Sequence, residues 1–256
     1  VTHCEDQKTV EKNEKIFHEK YGENVSAEHH HLIRDVESCY RSSSLAVGLA
    51  KKYDADLHVF HLTTEKEMDL FTAGNIDGKK ITAEVCVHHM FFNESFYSKL
   101  GNQIKCNPSI KYESDRTALI KALLENKIDI IATDHAPHTW DEKNNTYTQA
   151  PAGLPLVQHG MQILMDFYDQ KIISLETVVE KTSHNVARRF QIKDRGFIRE
   201  GYFADIAILD IDKPYTVSKE NILYKCGWSP FDGHNFKSSR PFHEFIPTLL
   251  SFVLQL

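Results

Sequence analysis

Three potential metal ligands in this chain share one context: His3 follows Val1-Thr2, His61 follows the apolar run 57–60, and Asp134 follows the apolar run 128–133. If those stretches are strands of one parallel sheet, all three side chains stand at C-terminal strand ends, where α/β folds place their sites. Two imidazoles and a carboxylate suit zinc or a similar divalent ion. Each residue alone is more simply an ordinary polar strand terminus. The recurrence of the context, in a chain with 15 histidines among 256 residues, turns the reading toward a metal site. Asp134 carries the most information, because Thr133-Asp134-His135-Ala136-Pro137-His138 puts a carboxylate and two imidazoles directly after the most hydrophobic run. Such a cluster suits acid–base work on metal-activated water. The bland alternative is an Asx-type turn stiffened by Pro137.

The elements that must position these residues alternate. Residues 56–61, 80–86 and 128–134 read as short buried strands. Between them lie helical stretches: 36–53 with Leu45, Leu49 and Ala50 on a common stripe, 64–71 opened by the capping-box pattern Thr64-Glu65-Lys66-Glu67, and 115–126 with Leu119, Leu123 and Leu124. Strand–helix alternation predicts an α/β fold with a parallel sheet and right-handed crossovers. Helices are also expected over 154–168 and 175–190. From Arg195-Gly196 the texture changes: 201–210 alternates like a strand, and Pro214, Gly227, Pro230 and Gly233 punctuate the remainder. A boundary near residue 191 is expected, dividing residues 1–190 from a smaller β-rich segment, 191–256.

Composition narrows the function. Thirty basic against 36 acidic side chains, a net charge of -6 and a pI near 6.2 provide no general basic field for nucleic acid or an anionic membrane. The five cysteines are scattered without a CxxC pair, as in reduced cytosolic proteins rather than a disulfide framework or zinc ribbon. The N-terminal residues lack a signal-peptide pattern, and the apolar run 245–256 is too short to span a membrane. A cytoplasmic protein is the expectation. Three features read as structural: His29-His30-His31 as a solvated loop, His88-His89 as strand-end residues, and Cys4 as a small buried hydrophobe.

Residues 131–138, His3-Cys4-Glu5-Asp6, residues 58–64 and Cys106-Asn107-Pro108 together resemble the dihydroorotases of the cyclic amidohydrolase family. The resemblance continues through residues 152–155, 182–190, 201–205 and 225–231. It implies a metal-dependent (β/α)8 barrel with a small β-sandwich, catalysing the reversible conversion of dihydroorotate to N-carbamoyl-L-aspartate in pyrimidine biosynthesis. It further implies that His3 and His61 are zinc ligands and that Asp134 binds a second zinc and shuttles the proton. Asn107, His138 and the backbone of Ala152 and Gly153 would hold the substrate ring and its carboxylate.

The sequence departs from the family pattern as well. The His-x-His-x-Arg motif and the bridging lysine or aspartate would lie upstream of His3, and a complete barrel takes about 250 residues. Residues 1–190 are therefore expected to form the last four βα units, followed by part of the β-sandwich. Lys111 stands where the family more often has an arginine, and residues 242–256 read as an unrelated tail. A partial barrel would leave an open sheet edge, which predicts self-association. The competing readings are a non-catalytic remnant that binds metal or a partner, and a hydantoinase- or allantoinase-type cyclic amidohydrolase.

Overall fold

The computed structural model describes residues 1–239. In chain order it contains helices α1 (Gln7–Tyr21), α2 (His30–Ile33) and α3 (Val36–Tyr53), then strand β1 (Leu57–Val59). Strand β2 (Ile81–Cys86) runs directly into α4 (Val87–Phe91), followed by α5 (Tyr97–Leu100), α6 (Glu113–Leu124) and strand β3 (Ile130–Ala132). The remaining elements are α7 (Trp140–Lys143), α8 (Gly160–Asp169), α9 (Leu175–Val179), α10 (Asn185–Arg189) and the short strands β4 (Tyr215–Thr216) and β5 (Asn235–Phe236).

The expected α/β alternation is present. Strands β1, β2 and β3 form a parallel sheet in sequence order, with Leu57 opposite Ile81 and Glu84 opposite Ile130. Two single parallel bridges extend it: Thr2 pairs with Val59, and His135 pairs with Leu154. Val59, Ala83 and Val85 are fully buried and belong to one core cluster with Val47, Met68, Leu119 and Leu123. Because strand side chains alternate faces, Thr82, Glu84 and Cys86 take the other side of β2. That face is polar, and His58 there lies 2.8 Å from Thr82 Oγ1 and 3.1 Å from Glu84 Oε2.

Several expectations are corrected. Helix α3 has the expected bounds, but Leu45 and Leu49 are exposed, and its buried stripe is Cys39, Ser43, Val47 and Ala50. The stripe was misread because the inward positions are partly polar: Ser43 donates to the buried Glu67 carboxylate. Leu124 is likewise exposed, while Leu119 and Leu123 are buried. Thr64 does cap the next turn, which is a 3-10 helix over Glu65–Leu70. Residues 201–209 form no strand, and Asp210 after them makes an isolated antiparallel bridge to Ser239. Among the described residues no strand pairs with 201–209, and Ile206 and Ile208 are exposed; alternation alone makes no strand without a partner edge. Among the described residues after 191, the one antiparallel ladder joins β4 to β5. Residues 242–256 lie outside the described residues.

Helix α1 carries no strong sequence signal, since Val10 is its only buried residue, but Asp6 caps it by accepting from the Thr9 backbone N–H. The 29–31 triplet is also not a solvated loop. His30 is buried in α2, 2.8 Å from Tyr147 Oη and 2.7 Å from the Cys106 carbonyl oxygen. Cys4 is buried as expected, and all five cysteines are free. No described helix is long and apolar enough to cross a membrane.

Candidate functional site

The sheet brings His3 and His61 together. Thr2 lies against β1 through a bond from its N–H to the His58 carbonyl and another from the Phe60 N–H to its own carbonyl. The next residue, His3, then faces the chain leaving β1, and its Nδ1 lies 3.1 Å from His61 Nε2. Two nitrogens bound to one tetrahedral zinc, each at about 2.0–2.1 Å, stand about 3.3 Å apart, so this pair has the spacing of a shared-cation donor set. The tautomer also fits. His3 Nε2 lies 2.9 Å from Glu5 Oε2 and donates to it, which leaves the lone pair on Nδ1, toward His61. The same Glu5 oxygen accepts from Arg34 Nη1 at 2.6 Å. Burial acts to raise the Glu5 pKa, but His3, Arg34 and Lys111 outweigh it and hold the carboxylate below its ordinary value. His61 is pushed down to about 4, first by burial and then by neighbouring His3, so its ring is available as a neutral donor.

Two of the candidate residues adopt a left-handed backbone, with φ of 36° at His61 and 47° at Asp134. For a non-glycine residue this conformation is disfavoured, and it recurs at functional sites where the surroundings hold it. Here it turns the chain as each strand ends. Asp134 is the more distant member: burial and then the Glu84 charge raise its pKa, while His3 lowers it. The donor atoms of His3, His61 and Asp134 do not close into a cluster. Among the described residues, the one group of three such side chains whose donor atoms all lie within 4.8 Å of one another is Cys86, His88 and His89.

The expected substrate-binding residues gather elsewhere. Asn107 and Ala152 line a cavity of about 670 Å³ together with His30, Arg34, Lys105 and Tyr147. Asn107 Oδ1 is buried without a partner. His138 sits beside them, its Nε2 3.1 Å from the Ala152 carbonyl oxygen. The Gly153 N–H is already given to the Lys105 carbonyl at 2.8 Å, which leaves it no proton for a ligand. Gly153 has φ of 139°, and a Cβ there would stand 2.4 Å from the Ala136 carbonyl oxygen, so the position demands glycine. Lys111 is buried and donates to Thr63 Oγ1 and Ser109 Oγ, so it faces the interior rather than the cavity.

Sequence reasoning missed Glu5 and Arg34 as a unit. Arg34 both lines the cavity and, through Glu5, holds His3. The signal available was weak: a buried acid three residues from the N-terminal Thr2 bridge and an Arg just before the α3 cap. Glu84, whose charge reaches Asp134, was hidden within a strand read only as apolar.

The sequence profile of the Amidohydrolase family matches residues 3–239. The chain is 33% identical over 192 residues to a dihydroorotase of Endomicrobium trichonymphae, covering 75% of this chain and 46% of that protein. It is 30% identical over 237 residues to a dihydroorotase of Methanosphaera stadtmanae, covering 93% and 54%, and 36% identical over 188 residues to one of Pyrococcus abyssi, covering 73% and 44%. The chain thus spans about half the length of the curated relatives it matches. Among solved structures, it resembles the L-hydantoinase (dihydropyrimidinase) of Arthrobacter aurescens with a TM-score of 0.83 at 20% identity, over 93% of this chain and 53% of that one. The dihydropyrimidinase of Brevibacillus agri NCHU1002 gives 0.82 at 22% identity, over 93% and 53%.

Proposed function

Because the chain belongs to the amidohydrolase family, we propose that its strand ends carrying His3, His61 and Asp134 serve the hydrolysis of a cyclic amide, dihydroorotate being opened to N-carbamoyl-L-aspartate. The observation that carries this reading is the 3.1 Å approach of His3 Nδ1 to His61 Nε2, with the tautomer set by Glu5. His3 and His61 would hold a divalent ion of the zinc class, with Asp134 beside it. Such an ion, when bound, acts as a Lewis acid toward the ring carbonyl.

The chain's own residues supply the rest. Asp134, kept more basic than an ordinary carboxylate by burial and by Glu84, takes the proton from the attacking water and passes it to the ring nitrogen as the C–N bond breaks. Arg34 offers its remaining N–H donors to the substrate carboxylate at the cavity wall, and Asn107 and His138 give the ring amide hydrogen-bonding partners. The family profile and the dihydroorotase relatives support this substrate. The hydantoinase structures support the second reading, in which the ring is a hydantoin or dihydropyrimidine without the carboxylate that Arg34 would hold. Since the three candidate ligands form no closed cluster among the described residues, the 256-residue chain is proposed to hold only part of the ligand set. It would then bind its ion weakly and turn over slowly.

Ring opening of dihydroorotate, hydantoin and dihydrouracil by the zinc-loaded chain, followed at the amide absorbance, tests the proposal. Opening of dihydroorotate in preference to the other two is the expected result. Preference for hydantoin would replace this reading with the second, and no zinc-dependent opening of any ring would refute both for this chain.

A further inference from the structure

Cys86, His88 and His89 cluster where β2 passes into α4, and one donor atom from each lies within 4.8 Å of the others. The side chains are closed off from solvent: Cys86 and His88 are 0% exposed and His89 is 3% exposed. Both ring nitrogens of His88 are buried with no hydrogen-bond partner among the described residues, as is Nδ1 of His89. A buried imidazole so placed is costly unless something else satisfies it, each unpaired nitrogen losing about 1–3 kcal/mol of hydration. His89 Nε2 donates to the Pro108 carbonyl at 3.1 Å, which fixes the tautomer and leaves the lone pair on the unpartnered Nδ1. The backbone explains the spacing. β2 ends with Cys86 on its polar face, Cys86 is the N-cap residue of α4, and the first turn of that helix carries the two rings back beside the thiol, their centroids 4.0 Å apart.

We propose that Cys86, His88 and His89 form a second cation site, one thiolate and two imidazoles, for a borderline divalent ion of the zinc class. Three protein ligands of this kind make a zinc site with one open position. The inference stands apart from the proposed hydrolysis, since none of its ligands is assigned a part there. Burial keeps His88 neutral, its pKa pushed down to about 3, as a nitrogen ligand must be. Burial also pushes the Cys86 thiol well above its ordinary value, so this cysteine loses its proton to solvent only as the ion binds, one proton per ion. His61 is near enough for its charge to be felt at His88, so the test must separate the two sites.

Cobalt(II) titration of the whole chain does so, because a cysteine thiolate on cobalt gives a near-ultraviolet charge-transfer band that imidazole and carboxylate do not. The expected result is that band in the wild-type chain, its loss in Cys86→Ser and in His89→Gln, and its retention in His61→Asn. Bound cobalt at saturation should fall by one ion per chain in Cys86→Ser. Absence of the band in the wild-type chain overturns the proposal without any variant. Persistence in Cys86→Ser places the thiolate on another cysteine, and loss in His61→Asn makes the two sites one; either result also overturns it.

Discussion

Replacing Glu5 by Gln removes one negative charge at the point where the His3 ring and the Arg34 guanidinium converge, and the consequence follows from hydrogen-bond geometry. Glu5 Oε2 accepts from His3 Nε2 at 2.9 Å and from Arg34 Nη1 at 2.6 Å. Both donors meet on that one oxygen, and Oε1 is buried with no hydrogen-bond partner among the described residues, so a Gln carbonyl at the Oε2 position keeps both bonds but as a neutral acceptor. A neutral acceptor holds the proton on His3 Nε2 less strongly, and the tautomer with its proton on Nδ1, the atom facing His61, gains population; that tautomer cannot bind a cation there. Mutating the hydrogen-bond partner of a metal-binding histidine weakens metal binding by about 10–100-fold, or about 1.4–2.7 kcal/mol. Global stability falls less than for a fully buried pair, because the Arg34 side chain is 20% exposed and keeps a neutral acceptor; about 1–3 kcal/mol is expected. Zinc titration calorimetry on Cys86→Ser and on Cys86→Ser with Glu5→Gln, so that only the His3 site is read, in urea-free buffer at pH 7 with far-ultraviolet circular dichroism as the control for folding, measures the affinity loss. A folded double variant binding zinc within threefold of Cys86→Ser would refute the tautomer argument, and with it the assignment of His3 Nδ1 as a donor.

Asp134→Asn should lower kcat for dihydroorotate by about 10²–10⁴-fold with a smaller change in KM; an unchanged kcat removes Asp134 from proton transfer. Gly153→Ala places a Cβ 2.4 Å from the Ala136 carbonyl at a φ of 139° and should cost about 2–4 kcal/mol in urea unfolding, whereas a loss under 1 kcal/mol would show that the 150–154 loop yields easily. His30 is fully buried, and burial pushes its pKa down to about 3, so the unfolded chain, with an ordinary His near 6.5, takes up the proton first. Its contribution is therefore complete above about pH 6.5 and is lost as pH falls toward 3, reaching about 2 kcal/mol by pH 5. His30→Gln should flatten that part of the stability–pH curve, and an unaltered slope would show that His30 is protonated in the folded chain.

The strands were legible because their buried face is uniformly apolar: Val59, Ala83, Val85 and Ile131 leave little choice of element or register. The candidate ligands were legible for the same reason, as each follows directly on such a run. What stayed hidden depended on partners distant in sequence. No local pattern reports that Ser43 faces Glu67 inside the core, so the α3 stripe was drawn through the exposed Leu45 and Leu49 instead. Nor does one report that His30 is enclosed by Tyr147 and Cys106, 117 and 76 residues away. The alternation over 201–209 shows the converse failure, a local periodicity with which no strand pairs among the described residues.

The same distinction explains where chemistry accumulates in this fold. On β2 the apolar side chains Ala83 and Val85 hold the strand against its helices, while Thr82, Glu84 and Cys86 occupy the alternate positions. The first set fixes the sheet, so the second is carried at defined spacing whatever its polarity. His58 and Glu84 meet across that face, the Glu84 charge reaches Asp134 at the end of β3, and Cys86 stands where β2 hands over to the two buried rings of α4. A polar residue on this face is therefore held in place by its apolar neighbours one position away. The spacing of the candidate ligands at the strand ends thus follows from the register of the core, and substitutions that shift the register, rather than those that trim individual polar groups, would dismantle both proposed cation sites together.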